Sequence, residues 1–253
     1  MNTKIVRYIL CRMLGVEAAL LLVPVLVAVI YQEKCGIVFL IPIVILCLLF
    51  LVAGRKRPEH GQIYGKEGMV IVALAWILWS LFGAMPFTLS GYIPSYVDAF
   101  FETVSGFTTT GSSIIPDVEV LPHCLLFWRS FTHWIGGMGV LVFVLVVTSL
   151  DRKNSMHLMR AEVPGPEKDK LVPKAMSTAR ILYGMYLILT VIEMVFLVIG
   201  GMNLFDSMIF SFGSAGTGGF SNYADSVAHF NSAYIDGVIT VFCALFGVNF
   251  ALF

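Results

Sequence analysis

The stretch TVSGFTTTGSS, Thr103 to Ser113, carries no charge yet lies between two long apolar runs. A second stretch, SFGSAGTGGFS from Ser211 to Ser221, occupies the corresponding place further along the chain. Connections between apolar spans are ordinarily short or charged, so two uncharged Gly/Ser/Thr segments in matching positions need a physical reason.

The surroundings of the two stretches set the class of protein. Of 253 residues, 58% are hydrophobic and 13% charged, which is too little polar surface to cover a water-soluble globule. The chain belongs in a bilayer. Sixteen basic residues balance 16 acidic ones, so bulk charge gives no footprint for nucleic acid. The cysteines, Cys11, Cys35, Cys47, Cys124 and Cys243, are scattered without metal-ligand spacing and read as apolar packing residues. The first apolar run is followed by another rather than by a small-residue cleavage site, so no signal peptide is expected.

A helix needs roughly 20 apolar residues to cross a ~30 Å hydrocarbon core. That criterion predicts helices at Met13 to Tyr31, Gly36 to Ala53, Gly68 to Leu89, His123 to Leu150, Met176 to Gly200 and Ala233 to Phe253. Lys4, Arg7 and Arg12 lie before the first. Arg55, Lys56, Arg57 and Lys66 fill the second connection, and Arg152, Lys153, Arg160, Lys168, Lys170, Lys174 and Arg180 fill or flank the fourth. Basic residues concentrate on the cytoplasmic side, which puts the N-terminus inside. Asp98, Glu102, Asp117, Glu119, Asp206 and Asp225 then lie outside, together with both quoted stretches.

Residues 68–150 and 176–253 repeat one plan: a span, a half-length amphipathic segment beginning near Asp98 or Asp206, a Gly/Thr/Ser segment, and another span. From the aspartate to the glycine of a Thr-Gly pair is 13 residues in the first unit (Asp98 to Gly111) and 12 in the second (Asp206 to Gly218). A segment of that length is too short to cross. Nonhelical backbone at membrane depth is tolerated where protein buries it or where it lines a watery cavity, and a re-entrant pore loop meets that condition. A dehydrated alkali cation needs oxygen dipoles to replace its water, which backbone carbonyls supply without fixed charge. Glycine lets such a segment adopt positive φ, and small hydroxyl residues can satisfy neighbouring N–H groups. The C-terminal, negative end of each half-helix dipole would face the cavity and favour a cation.

Other readings are weaker. GSAGTGG lacks the Gly-Lys-Ser/Thr of a phosphate loop, and a plain flexible linker does not explain two loops in matching positions. In HWIGGMGVLVF, His133 to Phe143, the glycines Gly136, Gly137 and Gly139 suit close helix packing, with a pore loop as a candidate partner. Glu193, mid-span, reads either as a hydrogen bond to a neighbouring helix or as part of an ion pathway. Glu17 lies near the inner end of its span and is expected to snorkel. Arg129 is expected to pair with Glu102 or Asp98 behind the loop, and His123 and His133 to sit at helix interfaces.

The segments FFETVSGFTTTGSS, FWRSFTHWIGGMGVLVF, MHLMRAEVPGPEKDK and SAGTGGFSNYADS resemble the membrane subunit of Trk/Ktr-type potassium uptake systems, from about residue 67 to the end. Two helices before the first repeat and the RAE.PGP loop make the chain more similar to the Trk branch. The resemblance implies an all-α membrane protein of multispan helices with two re-entrant pore-loop repeats of the K⁺ transporter superfamily. It divides the chain into a two-helix extension (1–66), a first repeat (67–150), a basic cytoplasmic loop (151–175) and a second repeat (176–253).

By position, Thr108, Thr109, Thr110 and Gly111 match one filter segment, and Ala215, Gly216, Thr217 and Gly218 a second. Backbone carbonyls of Thr109, Thr110, Gly216 and Thr217 would hold K⁺, supported by Glu102, Ser112, Arg129 and Gly219. The implied partners are membrane lipid, a second copy of the full-length protein, and a cytoplasmic nucleotide-binding regulatory subunit. Neither nucleic acid, nor a cofactor, nor an enzymatic reaction is implied; K⁺ is the transported ion. The family's pore has four such repeats and this sequence has two, so the expectation is the N-terminal half of a longer protein. A Na⁺-permeable relative and a non-conducting membrane scaffold are the alternatives.

Overall fold

A computed structural model describes residues 2–55, 65–139 and 175–248, and every regular element among them is helical. Four helices there are long and apolar enough to cross a membrane: Thr3–Ile30, Lys34–Gly54, Lys66–Leu89 and Ile181–Ile199.

The first of these is two helices in line, α1 (Thr3–Leu20) and α2 (Leu22–Ile30). The joint has a local cause, because Pro24 has no N–H to donate to the carbonyl four residues back. The helix starts ten residues before the predicted Met13, so Lys4, Arg7 and Arg12 lie on it rather than ahead of it. The Asn2 side chain accepts from Ile5 N–H at its start, and Ile5, Ile9 and Met13, four residues apart, bury one face. Apolar length alone misses such a start, since Lys and Arg are good helix formers.

The second span opens as a 3₁₀ segment (Lys34–Phe39), continues as α3 (Leu40–Leu49) and ends in a π turn (Phe50–Gly54). Pro42, with no N–H to offer, sits in the first turn of α3, where the change of winding occurs. The π turn packs on α1, where Gly15 and Gly54 leave room for the Phe50 ring.

Two units of like design follow. In the first, α4 (Gly65–Leu89) leads to the short α5 (Tyr96–Phe107), an extended return and α6 (His123–Gly137). In the second, α7 (Ala175–Ile199) leads to the short α8 (Leu204–Ala215), a return and α9 (Ala233–Gly247). The short helices have 12 residues each, about 18 Å at 1.5 Å per residue and well short of a bilayer core. Each is capped alike: Ser95 accepts from Asp98 N–H, and Asn203 from Asp206 N–H. The predicted helix from His123 turns at Gly139, where φ is 74°. Its remainder, the basic loop 151–174 and the end of the last span at 249–253 lie outside the described residues.

The core joins the N-terminal helices to the first unit and reaches Phe205 and Ile209 of α8. Its centre is a close crossing of α4, α5 and α6. Gly83 lets Thr103, Phe107 and Trp128 approach the α4 backbone, and the Trp128 indole donates to the Gly83 carbonyl at 2.9 Å. Phe107 sits edge-on between Trp79 and Trp128. Helices in a bilayer gain little from expelling apolar side chains from lipid, so contacts of this closeness hold them together. Glu17 does not snorkel: it is fully buried among these helices.

Candidate functional site

The two short helices end in the same backbone motif. Thr109 N–H donates to the Gly106 carbonyl at 3.0 Å and Thr110 N–H to the Ser105 carbonyl at 2.9 Å. At the second, Thr217 N–H donates to Ser214 at 2.8 Å and Gly218 N–H to Gly213 at 3.2 Å. These are Schellman caps, which use a left-handed residue to satisfy carbonyls the helix leaves free. That residue is Thr109 in one loop and Thr217 in the other, both at φ 54°. A β-branched residue is disfavoured there, and backbone of this kind costs of order 1–3 kcal/mol. Two positions later the chain again takes positive φ, 77° at Gly111 and 79° at Gly219.

The matching torsions set the register. Asp98 pairs with Asp206, Phe107 with Ala215, Thr109 with Thr217, and Gly111 with Gly219; aspartate to glycine is 13 residues in both units. Pairing the Thr-Gly dipeptides, as the sequence invites, sets the second loop one residue early. Gly218 corresponds to Thr110, and the segment equivalent to Thr108–Gly111 is Gly216–Gly219. Gly219, expected as a supporting residue, occupies the torsional position of Gly111, while Ala215 is the last residue of α8.

The loops touch. A side chain on Gly111 would collide with the Gly218 carbonyl, and one on Gly218 with the His133 imidazole and, at 2.7 Å, the Thr109 carbonyl. Gly218 is therefore needed for space and Gly219 for torsion. Behind them, Gly136 lies against the Phe107 carbonyl and Gly137 against the Tyr186 hydroxyl and the Ala215 carbonyl. The packing partners of the α6 glycines are thus the ends of both short helices. His133, fully buried, fits between the loops with its ring edge-on to Phe220 at 4.2 Å.

Carboxylates on the short helices hold the returning strands. Glu102, 1% exposed, accepts from the Ser113 hydroxyl at 3.0 Å, from Ile114 N–H at 2.9 Å and from Arg129 Nε at 2.6 Å. Arg129 is itself 4% exposed and pairs with Glu102, not Asp98. It also donates to the Ser221 carbonyl of the second loop at 2.8 Å and lies 3.6 Å from the centre of the Phe220 ring. One guanidinium thus bonds to both loops. In the second unit Asp206 accepts from Asn222 Nδ2 at 2.6 Å, the Tyr223 hydroxyl at 2.9 Å and Asn203 Nδ2 at 2.7 Å. Ser112 is exposed, and the hydroxyl that reaches Glu102 belongs to Ser113. The Thr108 hydroxyl bonds to the Val104 carbonyl and the Thr110 hydroxyl rather than to loop N–H groups. Glu193 is fully buried with neither carboxylate oxygen hydrogen-bonded, so the hydrogen bond to a neighbouring helix that the sequence offered as one reading is not made; the Ser214 hydroxyl donates instead to the Phe210 carbonyl at 3.0 Å.

Sequence reasoning passed over Ser113, Ser221, Asn222 and Tyr223 as anchors. The available signal was a run of polar residues just after each glycine segment.

With this geometry in view, the sequence matches over residues 36–253 the family described as TrkH, cation transport protein. The chain belongs to the TrkH family. It is 37% identical over 235 residues to the Trk system potassium uptake protein TrkH of Escherichia coli K12, covering 92% of this chain and 49% of that protein. It is 35% identical over 258 residues to TrkG of the same organism, covering 100% and 53%. The crystal structure of the potassium transporter TrkH from Vibrio parahaemolyticus superposes with a TM-score of 0.84 at 31% identity, over 100% of this chain and 51% of that one. The chain thus spans about half the length of these TrkH-family relatives.

Proposed function

We propose that this chain supplies two quarters of the selectivity filter of a Trk-type potassium uptake protein, its two loops replacing the hydration shell of K⁺ with backbone carbonyls. The observation that carries the reading is the repeated strained backbone: left-handed Thr109 and Thr217, then Gly111 and Gly219, in loops that touch. Strain of this kind concentrates where function requires it. In this reading the filter is Thr108–Gly111 and Gly216–Gly219, with carbonyls drawn from Thr108 to Thr110 and Gly216 to Gly218, and the matching torsions of the two loops support that choice. Glu102, Arg129 and Asp206 act as positioning residues, not ion ligands, since their charges are already engaged in hydrogen bonds.

The names of the relatives support K⁺ as the transported ion. In this reading the chain has no enzymatic activity, and the ion moves down its electrochemical gradient, one charge crossing 100 mV gaining about 2.3 kcal/mol. The N-terminus is cytoplasmic and the loops open outward, following the distribution of Lys and Arg. The full-length protein works as a homodimer with a cytoplasmic nucleotide-binding regulatory subunit. The test is radioactive rubidium uptake in cells lacking their own uptake systems, with sodium as competitor, for the transporter containing this chain. Gly111→Ser is expected to lower the preference for rubidium over sodium about tenfold, equivalent to about 1.4 kcal/mol. An unchanged preference in a conducting variant would remove Gly111 from the filter.

A further inference from the structure

A groove of about 250 Å³ lies between α2 and the start of the second span, walled by Val25, Val29, Ile37 and Leu40. A tight turn sets its floor. α2 ends in a Schellman cap, with Gln32 at φ 55° and Glu33 N–H donating to the Ala28 carbonyl at 2.8 Å. The chain then returns so closely that a side chain on Gly36 would strike Ala28. The walls belong to two helices long and apolar enough to cross a membrane, and Val29 and Ile37 are 69% and 67% exposed, so they face acyl chains.

The mouth of the groove stands at headgroup depth. Tyr31, Tyr92, Tyr96 and Tyr234 are all exposed and sit at or beside helix ends on the side of the two loops, where amphipathic rings mark a membrane interface. Lys34 lines the mouth and is exposed. Its neighbour Glu33 is engaged elsewhere, accepting from the backbone N–H groups of His123 at 2.7 Å and Cys124 at 3.0 Å and pairing with the His123 ring. Lys34 consequently has no ion pair among the described residues. The groove is too small for a neighbouring helix, one turn of which, 10 Å across and 5.4 Å long, displaces about 420 Å³.

We propose that this groove binds one anionic phospholipid, with an acyl chain between α2 and the second span and the phosphate on the Lys34 ammonium. The long stem of Lys34 can lie along the apolar wall while its charge stays among the headgroups. The lipid would cover the seam by which the N-terminal helices meet α6 through Glu33.

The test uses the purified transporter containing this chain in phosphatidylcholine vesicles doped with a lipid bearing a photoactivatable acyl chain. The headgroup of that probe is either phosphatidylglycerol or phosphatidylcholine. After illumination, adducts on residues 25–40 are counted by mass spectrometry against those on Val44 and Leu48, which are exposed on α3 outside the groove. The phosphatidylglycerol probe should label the groove about fivefold more than the phosphatidylcholine probe, the factor for one lysine beside an anionic lipid, and should show no preference at Val44 and Leu48. Lys34→Gln should abolish the preference, and Val29→Trp, which fills the groove, should lower labelling there by both probes. Equal labelling by the two probes in the wild type, or a preference that survives Lys34→Gln, would overturn the proposal. Labelled Val44 and Leu48 beside an unlabelled groove would show protein covering it, and would overturn the proposal too. The measurement reads no ion flux, so its outcome is independent of the filter assignment.

Discussion

The two loops share a backbone and differ in what anchors it. Both leave a 12-residue helix through a Schellman cap with threonine at φ 54°, and both place a glycine near φ 78° two residues on. The first return is held by a charged pair, Glu102 with Arg129, plus Ser113 and Ile114. The second is held by neutral donors, Asn222, Tyr223 and Asn203, gathered on Asp206, and by Arg129 reaching across from the first unit. The anchoring carboxylates stand at different heights, Asp206 in the first turn of its helix and Glu102 two turns into its own. Geometry is therefore what the two units have in common, and the side chains that enforce it are interchangeable solutions. The first unit also lends an anchor to the second, so the loops are not independent.

That asymmetry is open to attack, beginning at Arg129. Arg129→Ala removes a guanidinium bonded to both loops and leaves Glu102 buried without its charged partner. A loss of about 3–5 kcal/mol is expected, read as a lower unfolding temperature in detergent, with ion discrimination lost at both loops. If Glu102→Gln in that background restores folding but not discrimination, the cross-link to Ser221 is the part that matters.

The glycines sharpen the comparison next. Gly111→Ala meets both positive φ and the Gly218 carbonyl, whereas Gly219→Ala meets positive φ alone, with nothing within 4 Å. The left-handed conformation costs an L-residue roughly 1–2 kcal/mol. Thermal unfolding should therefore show Gly111→Ala as the more damaging, by at least about 1 kcal/mol. Equal losses would mean that the loops do not approach as described.

Glu33 tests the attachment of the N-terminal helices rather than the loops. Burial pushes its carboxyl up, but the Cys124 and His123 donors outweigh that and hold it below its usual 4.5. A lowered folded value means that the stabilisation is complete above pH 4.5 and is lost as pH falls through the folded value. Glu33→Gln should cost about 1.5 kcal/mol at neutral pH and flatten the acid side of a stability–pH curve. The smallest effect has the opposite sign: Thr217→Gly removes a β-branched residue from the left-handed cap and should raise stability by about 1 kcal/mol. A loss instead would show the Thr217 side chain to be a net contributor.

Much of the fold was legible in the sequence, because hydropathy runs and a repeated span, half-helix and loop are direct readouts of bilayer thickness and helix geometry. The pairing of Arg129 with an acid followed from the repulsion that a free cation would exert beside a cation pathway, although the sequence left Glu102 and Asp98 both open as the partner. The register of the second loop was not legible. GTGG offers two glycines, and only the torsions distinguish the one needed for φ from the one needed for space. The start of α1 was hidden by Lys4, Arg7 and Arg12, which depress local hydropathy without opposing a helix. Ser113, Asn222 and Tyr223 were passed over because their partners, Glu102 and Asp206, lie 11, 16 and 17 residues away, across a return that sequence does not fold.

The most direct test of the paired-loop filter is the ratio of rubidium to sodium uptake for Gly219→Ala, measured beside Gly237→Ala. Both glycines have open space around them, but only Gly219 requires a left-handed backbone. The ratio should fall about tenfold for Gly219→Ala and stay at the wild-type value for Gly237→Ala. A wild-type ratio for a conducting Gly219→Ala protein would contradict the register and, with it, the assignment of the second loop to the filter.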